Sequence, residues 1–310
     1  MDSKDSKPQS NRPANTAFKQ QRLKAWEPIL TPTPVIISFI VIGIVFIPIG
    51  AVMISASNSV VESSLRYDEV CPAGVSNCVL NMTIPKDMKA PVYLYYRLDN
   101  FYQNHRRYVK SRNDDQLRGI VVTDYDKLKD CDPYISVNDS SNPANFYLPC
   151  GLIARSMFND TFSLQQNNIS IPLQKKGIAW SSDVDKKFKN PPNDAPGVRV
   201  IQDFTDEDFI VWMRTAGLPD FKKLYRIINQ DIKAGTVFVN ISSNYPVNSF
   251  EGKKYVVLST TTWIGGKNPF LGYAYIVVGV VCFFQGIGFL IKHKVAPRKL
   301  GDTKYLEWNK

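Results

Sequence analysis

The sequence predicts a membrane protein with two transmembrane helices and a large exoplasmic β-rich domain, an antiparallel β-sandwich with helical insertions. Three observations predict it. Residues 35–56 and 270–291 each run 22 positions without Asp, Glu, Lys or Arg. At about 1.5 Å per residue each reaches about 33 Å, enough to cross a hydrocarbon core of about 30 Å. All five acceptable N-x-S/T sequons and four of the five cysteines fall between these runs. The long central segment also carries alternating β-branched and aromatic stretches separated by Asn, Pro and Gly, the pattern of antiparallel strands.

The elements follow in chain order. Residues 1–34 form a cytosolic tail, whose first twenty are polar and too poor in apolar side chains to build a core. Residues 35–56 form the first span, interrupted by Pro48, whose missing donor is expected to kink the helix. The run is too long and too late for a cleaved signal peptide, and no small-x-small site follows it. Residues 57–269 form the glycosylated outer domain. Residues 270–291 form the second span, in which Gly272, Gly279 and Gly286 recur every seven positions, as Gly43 and Gly50 do in the first. Such spacing puts the glycines on one face for close helix packing. Gln285, beside that stripe, is expected to hydrogen-bond across helices. Residues 292–310 are a second cytosolic tail.

Charge sets the orientation. The net charge is +10, but residues 1–34 carry six Lys/Arg against three Asp/Glu and residues 292–310 carry six against two. An excess of Lys and Arg at the span ends marks the cytosolic side, so both termini face the cytosol. The basic excess therefore reports juxtamembrane residues that meet anionic phospholipids, and argues for no nucleic-acid partner.

Cysteines and sequons agree with that topology, because disulfides and N-glycans both belong to the secretory lumen. Asn81, Asn138, Asn159, Asn168 and Asn240 are the candidate glycosylation sites. Cys71, Cys78, Cys131 and Cys150 allow three pairings; the local one, Cys71–Cys78 with Cys131–Cys150, closes two short loops without crossing. On a chain-entropy model these loops contribute roughly 2.5 and 3.3 kcal/mol.

Within the outer domain, strands are expected at Val92–Tyr96, Gly119–Thr123, Thr236–Ile241 and Tyr255–Thr261. A helix is expected through Phe209, Trp212, Met213 and Ala216, started by a Thr205/Asp208 capping box and stopped by Gly217 and Pro219. Two histidines are too few for a His triad or a zinc centre, and no Walker or Asp-Lys-Thr-Gly sequence occurs, so no catalytic residue, cofactor or metal ligand is assigned. Asp-x-Asp pairs at 124/126, 130/132, 183/185 and 206/208 would suit a metal-bound nucleotide sugar, but an acidic loop explains them better. The basic, aromatic segment Asn100–Arg112 reads as a network internal to the domain or as a partner contact.

Longer stretches carry a resemblance. NTAFKQQRLKAWEPILTP, APVYLYYRLDNFYQNHRRYVKSR, LPCGLIARSMFNDTF, GIAWSSD, FIVWMRTAGLP, NYPVNSF, LSTTTWIGGKNPFLG and PRKLGDTKYLEW resemble the ligand-effect-modulator, or cell division cycle protein 50, family. Its members are accessory β-subunits of type IV P-type ATPases, the phospholipid flippases. The likeness runs from about Asn15 to Trp308.

It implies a non-catalytic chaperone subunit in a one-to-one complex with the ATPase catalytic subunit. The complex acts on membrane phospholipids and resides in the secretory pathway: endoplasmic reticulum, Golgi, endosome or plasma membrane. The subunit is needed for folding, for exit from the endoplasmic reticulum, and so for phospholipid asymmetry. The resemblance also implies a glycan on Asn159, a Cys131–Cys150 bridge, and contacts from Phe18, Arg22 and Trp26 to the partner. The glycine face of Gly272, Gly279 and Gly286 is assigned to the partner as well. Members with a denser cysteine cluster near the first strand exist, so one bridge fewer is expected around Cys71 and Cys78. The alternative is a subunit of a two-span ligand-gated channel, which shares cytosolic termini and a disulfide-bonded outer domain.

Overall fold

The structure, a computed structural model, describes residues 12–25 and 31–297. They divide into a helical unit, before Val52 and after Gly272, and a β-rich unit, Val52–Gly272. Helix α1 (Pro32–Ser59) is long and apolar, with a mean hydropathy of 2.9 across its most apolar window. It runs through Pro48 as one helix.

The β-rich unit then builds ten strands and five short helices: β1 (Glu62–Arg66), β2 (Val75–Ile84), β3 (Val92–Asp99), α2 (Arg106–Lys110), α3 (Asp114–Leu117), β4 (Tyr147–Leu148), α4 (Leu152–Arg155), β5 (Thr161–Gln166), β6 (Ile169–Ile171), α5 (Ser181–Lys186), β7 (Val198–Arg199), α6 (Glu207–Met213), β8 (Phe221–Ile228), β9 (Gly235–Ser243) and β10 (Lys253–Ser259). Helix α7 (Phe270–Val295) follows, with a mean hydropathy of 2.3. Only 17% and 11% of the most apolar windows of α1 and α7 are buried, too little for core helices of a soluble protein. Two membrane-spanning helices flanking a β-rich domain is the architecture the sequence predicts.

Two four-stranded antiparallel sheets, ordered β1-β10-β3-β8 and β2-β9-β5-β6, supply the sandwich; β4 and β7 add a small parallel pair. The period-two pattern explains the strands. In β3, Val92, Leu94, Tyr96 and Leu98 are buried while the residues between them are half-exposed. Val237, Val239 and Ile241 are likewise buried in β9, whereas β10 alternates only at first and is buried on both faces from Val256 to Ser259. Residues of both sheets join one apolar core, closed at one end by Phe209, Ile210, Trp212 and Met213 of α6. Each buried Leu, Val or Phe contributes roughly 1.5–3 kcal/mol by leaving water. A smaller cluster of Leu128, Cys131, Ile135, Phe146 and Cys150 sits around the second disulfide.

Three expectations need correction. Residues 119–123 form no strand, and Ile120 and Val121 are exposed. Gly119 takes φ +82° as α3 ends, and a Cβ there would lie 2.8 Å from the Asn190 carbonyl oxygen. The β-branched run that follows has no neighbouring strand to pair with. Helix α6 is capped by Asp206, whose carboxylate accepts from Asp208 N–H, while the Thr205 hydroxyl donates to Asp203. It also stops at Met213 instead of continuing to Ala216.

Candidate partner interface

The most constrained polar group lies in the β-rich unit. Lys254 on β10 points inward, at a position where the alternation calls for an apolar residue, and Asp160 immediately precedes β5. Their side chains, 1% and 0% exposed, form an ion pair at 2.7 Å. The three ammonium hydrogens are all used: Lys254 Nζ also donates to Ser243 Oγ and the Tyr245 carbonyl, each at 2.8 Å. Asp160 accepts four bonds, from Lys254, the Tyr67 hydroxyl at 2.7 Å, and the backbone N–H groups of Asn244 and Tyr245. Burial, with Asp160 adding to it, pushes the Tyr67 phenol well above its usual value. A buried charge pair survives only when every donor and acceptor is met, and here each one is. The group ties β10 of one sheet to the end of β9 and the start of β5 in the other.

A second buried lysine ends α6. Lys223 Nζ donates to the carbonyls of Val211, Trp212 and Arg214 at 2.9, 3.0 and 2.5 Å. These are the orphan acceptors of a helix C-terminus, where a cation is favoured. This cap explains the early stop at Met213. Burial, helped by the nearby Arg214, lowers the Lys223 ammonium to about 7.

The Asn100–Arg112 segment is largely an internal network. Gln103, fully buried, accepts from Ala216 N–H, and Asn104 donates to the Gly217 carbonyl. Tyr108 shares a hydrogen bond with Ser156 at 2.8 Å. Arg107 pairs with Asp132, Lys110 with Asp130, and Arg112 with Asp114. Those ion pairs also use up one of the Asp-x-Asp motifs. Most of the remaining aspartates are engaged as well. Asp124 accepts from Asp126 N–H and Asp126 pairs with Lys129; Asp183 pairs with Lys187; Asp206 and Asp208 share Lys175, and Asp208 holds Arg226. Among the described residues no group of three or more His, Cys, Asp or Glu converges on a metal-sized space.

In the helical unit the glycines decide the packing. A Cβ on Gly43 would fall 2.7 Å from Phe283 Cβ and 2.9 Å from the Gly279 carbonyl oxygen. One on Gly279 would meet Ile47 Cγ1 at 2.9 Å, and one on Gly286 would meet Ile40 Cγ1 at 2.8 Å. Aromatic pairs flank the seam, Phe46 with Tyr275 at 4.9 Å and Phe39 with Phe289 at 5.6 Å. Gly279 and Gly286 therefore face α1 of the same chain and not a partner helix, a correction to their assignment. Gly272 and Gly50 are buried too. Gln285 is exposed, pointing away from α1, which overturns its expected role in the helix pair. The opposite faces, with Val41, Ile44, Val277 and Phe284, stay open.

The remaining sequence-derived positions fall as follows. Cys71 is bonded to Cys78 and Cys131 to Cys150, and Cys282 is free. Asn81, Asn138, Asn159 and Asn168 are exposed; Asn240 is half-buried on central strand β9. Phe18 is 76% exposed in a turn closed by Arg22 N–H bonding to the Ala17 carbonyl, and Arg22 is exposed as well. Trp26 lies outside the described residues. Sequence reasoning missed Lys254, Asp160 and Lys223. The one available signal was a lysine at an inward position of a strand pattern.

Residues 53–299 match the model of the LEM3 (ligand-effect modulator 3) family / CDC50 family. "ALA-interacting subunit 3" of Arabidopsis thaliana is 46% identical, with 100% of this chain and 94% of that protein covered. "Cell cycle control protein 50A" of Bos taurus is 44% identical over 92% of this chain and 90% of its own length. "Cell cycle control protein 50B" of Homo sapiens is 38% identical, covering 91% and 93%.

Proposed function

The chain belongs to the LEM3/CDC50 family, and from that premise we propose that it is the non-catalytic accessory subunit of a type IV P-type ATPase that translocates phospholipids. Its work is to hold, fold and escort the catalytic subunit, and to bias its conformations. The observation that carries this reading is the division of labour in the helix pair: small residues are spent on the chain's own seam, leaving two broad apolar faces outward. A membrane partner that contributes ten spans can pack against such a face, while the seam keeps the accessory pair rigid.

The β-rich unit suits the same role. A sandwich locked by a fully satisfied buried ion pair and two disulfides presents a stiff surface. A cap alters a pump's equilibrium only by binding its states unequally, and stiffness is what lets it discriminate between them. The basic span ends support a topology with both tails in the cytosol and the β-rich unit in the lumen, where Asn81, Asn138, Asn159, Asn168 and Asn240 would be substrates for glycosylation. Phe18, Arg22 and Trp26 would then meet the catalytic subunit along the cytosolic face. Loss of the subunit strands the ATPase in the endoplasmic reticulum and erodes phospholipid asymmetry.

Gentle purification of the tagged chain followed by mass measurement tests the assignment. A one-to-one companion of much greater mass, identified as a P-type ATPase, is expected. A homotrimer free of any such companion contradicts it and favours a two-span channel.

A further inference from the structure

The chain between β10 and α7 folds into a tight hairpin with a large apolar side chain exposed at its tip. Thr262 and Gly265 exchange both backbone hydrogen bonds, each at 2.9 Å, leaving Trp263 and Ile264 as the two tip residues. Neither tip residue has a positive φ, so the turn makes no demand for Asn or Gly and leaves the choice of side chain to the surroundings. Here it carries the largest apolar side chain available, 77% exposed.

The base of the hairpin is fixed at both sides. Before it, Thr260 N–H donates to the Val61 carbonyl while Thr260 Oγ1 accepts from Val61 N–H, both at 3.0 Å. After it, Asn268 N–H donates to Ser57 Oγ at 3.0 Å, and Asn268 Oδ1 accepts from Phe270 N–H, the first residue of α7. Ser57 and Val61 lie on either side of the end of α1 at Ser59, just past the apolar run of residues 35–56. The hairpin is thus pinned where both spans emerge from hydrocarbon, in a headgroup layer about 5–7 Å deep on each side. Tryptophan is enriched in that layer because its ring is apolar and its N–H polar. Lys267, exposed two residues beyond Gly265, suits a lipid phosphate.

We propose that the Trp263–Ile264 hairpin is an interfacial anchor, seated among phospholipid headgroups of the leaflet that faces the β-rich unit. Continuity with both spans selects lipid as the occupant over a protein surface. Anchored there, the hairpin fixes the height of the β-rich unit above the bilayer, independently of any partner. The inference rests on the two membrane crossings and not on the identity of the ATPase.

The test uses the full chain alone in phosphatidylcholine nanodiscs, with acyl chains either unmodified or brominated near the headgroup. The Trp263 component is taken as the difference in fluorescence between the wild-type chain and Trp263→Phe. Brominated lipid is expected to remove most of that component. Equal Trp263 intensity in the two kinds of disc overturns the proposal. In a second measurement, photoreactive benzoylphenylalanine replaces Trp263 in the chain expressed with its native partners. A phospholipid adduct is expected, whereas a protein adduct without a lipid adduct overturns the anchor. Neither readout involves ATP hydrolysis, so its failure is distinct from failure of the flippase assignment.

Discussion

Replacing Lys254 with Met removes the ammonium from a site with no access to water. Asp160 then keeps the Tyr67 hydroxyl and two backbone N–H groups but loses its only cation, while Ser243 Oγ and the Tyr245 carbonyl each lose a donor. Breaking one side of a buried pair costs about 3–5 kcal/mol, because the surviving charge stays desolvated. In a domain of this size 1 kcal/mol moves the melting temperature by roughly 2–4 °C, so a fall of about 6–20 °C is expected. Asp160→Asn is the companion variant and is informative for another reason. It keeps Asn159-x-Thr161 as a sequon, so glycosylation is unchanged and the loss is assignable to the charge. The assay is thermal unfolding of the purified full chain, with the double variant completing a thermodynamic cycle. The double variant should lose at least about 1 kcal/mol less than the sum of the singles, since neither charge is then stranded. Single variants melting within about 2 °C of wild type, or costs that simply add, would refute the reasoning.

Other consequences concern separate elements. Gly279→Leu forces a side chain into the 2.9 Å gap to Ile47 and should destabilise the α1–α7 pair by about 1–3 kcal/mol, read as lower melting and weaker recovery of the ATPase. Intact recovery would leave the seam without a role. Cys131→Ser opens the bridge to Cys150, worth roughly 3.3 kcal/mol, and should hold the chain in the endoplasmic reticulum; unchanged glycan maturation counts against this. Lys223 makes stability depend on pH in a defined direction. Its folded value, about 7, lies below the ordinary 10.5, so between these pH values the unfolded chain binds the extra proton. Stability should therefore rise across that window, by on the order of a few kcal/mol, and be lowest below it. Subtracting the profile of Lys223→Met should isolate the rise; identical slopes for the two chains would exclude it.

The spans and the alternating strands were legible in the sequence because each is a one-dimensional pattern. An uncharged 22-residue run or the buried face of β3 is encoded by neighbouring residues alone. The failures share a different cause. Gly119–Thr123 has strand-forming residues but no edge to join, and edges are set by the whole fold. Gln285 sits one residue from the glycine stripe, yet the 100° step between adjacent helix positions turns it outward. The Asp160–Lys254 pair joins residues 94 apart, and no spacing rule announces such a contact. Lys223 looked like an ordinary strand lysine until α6 placed three carbonyls over it. The glycine repeat was legible as a packing face, but not which helix it would face.

The decisive property is what this chain does for a pump. A type IV P-type ATPase should be expressed with and without the chain, reconstituted into phospholipid vesicles, and assayed for lipid-stimulated ATP hydrolysis at matched amounts of catalytic subunit. Stimulation only in the presence of the chain, with none from the chain alone, is the predicted result. Equal stimulation without it, or ATP hydrolysis by the isolated chain, would contradict the assignment.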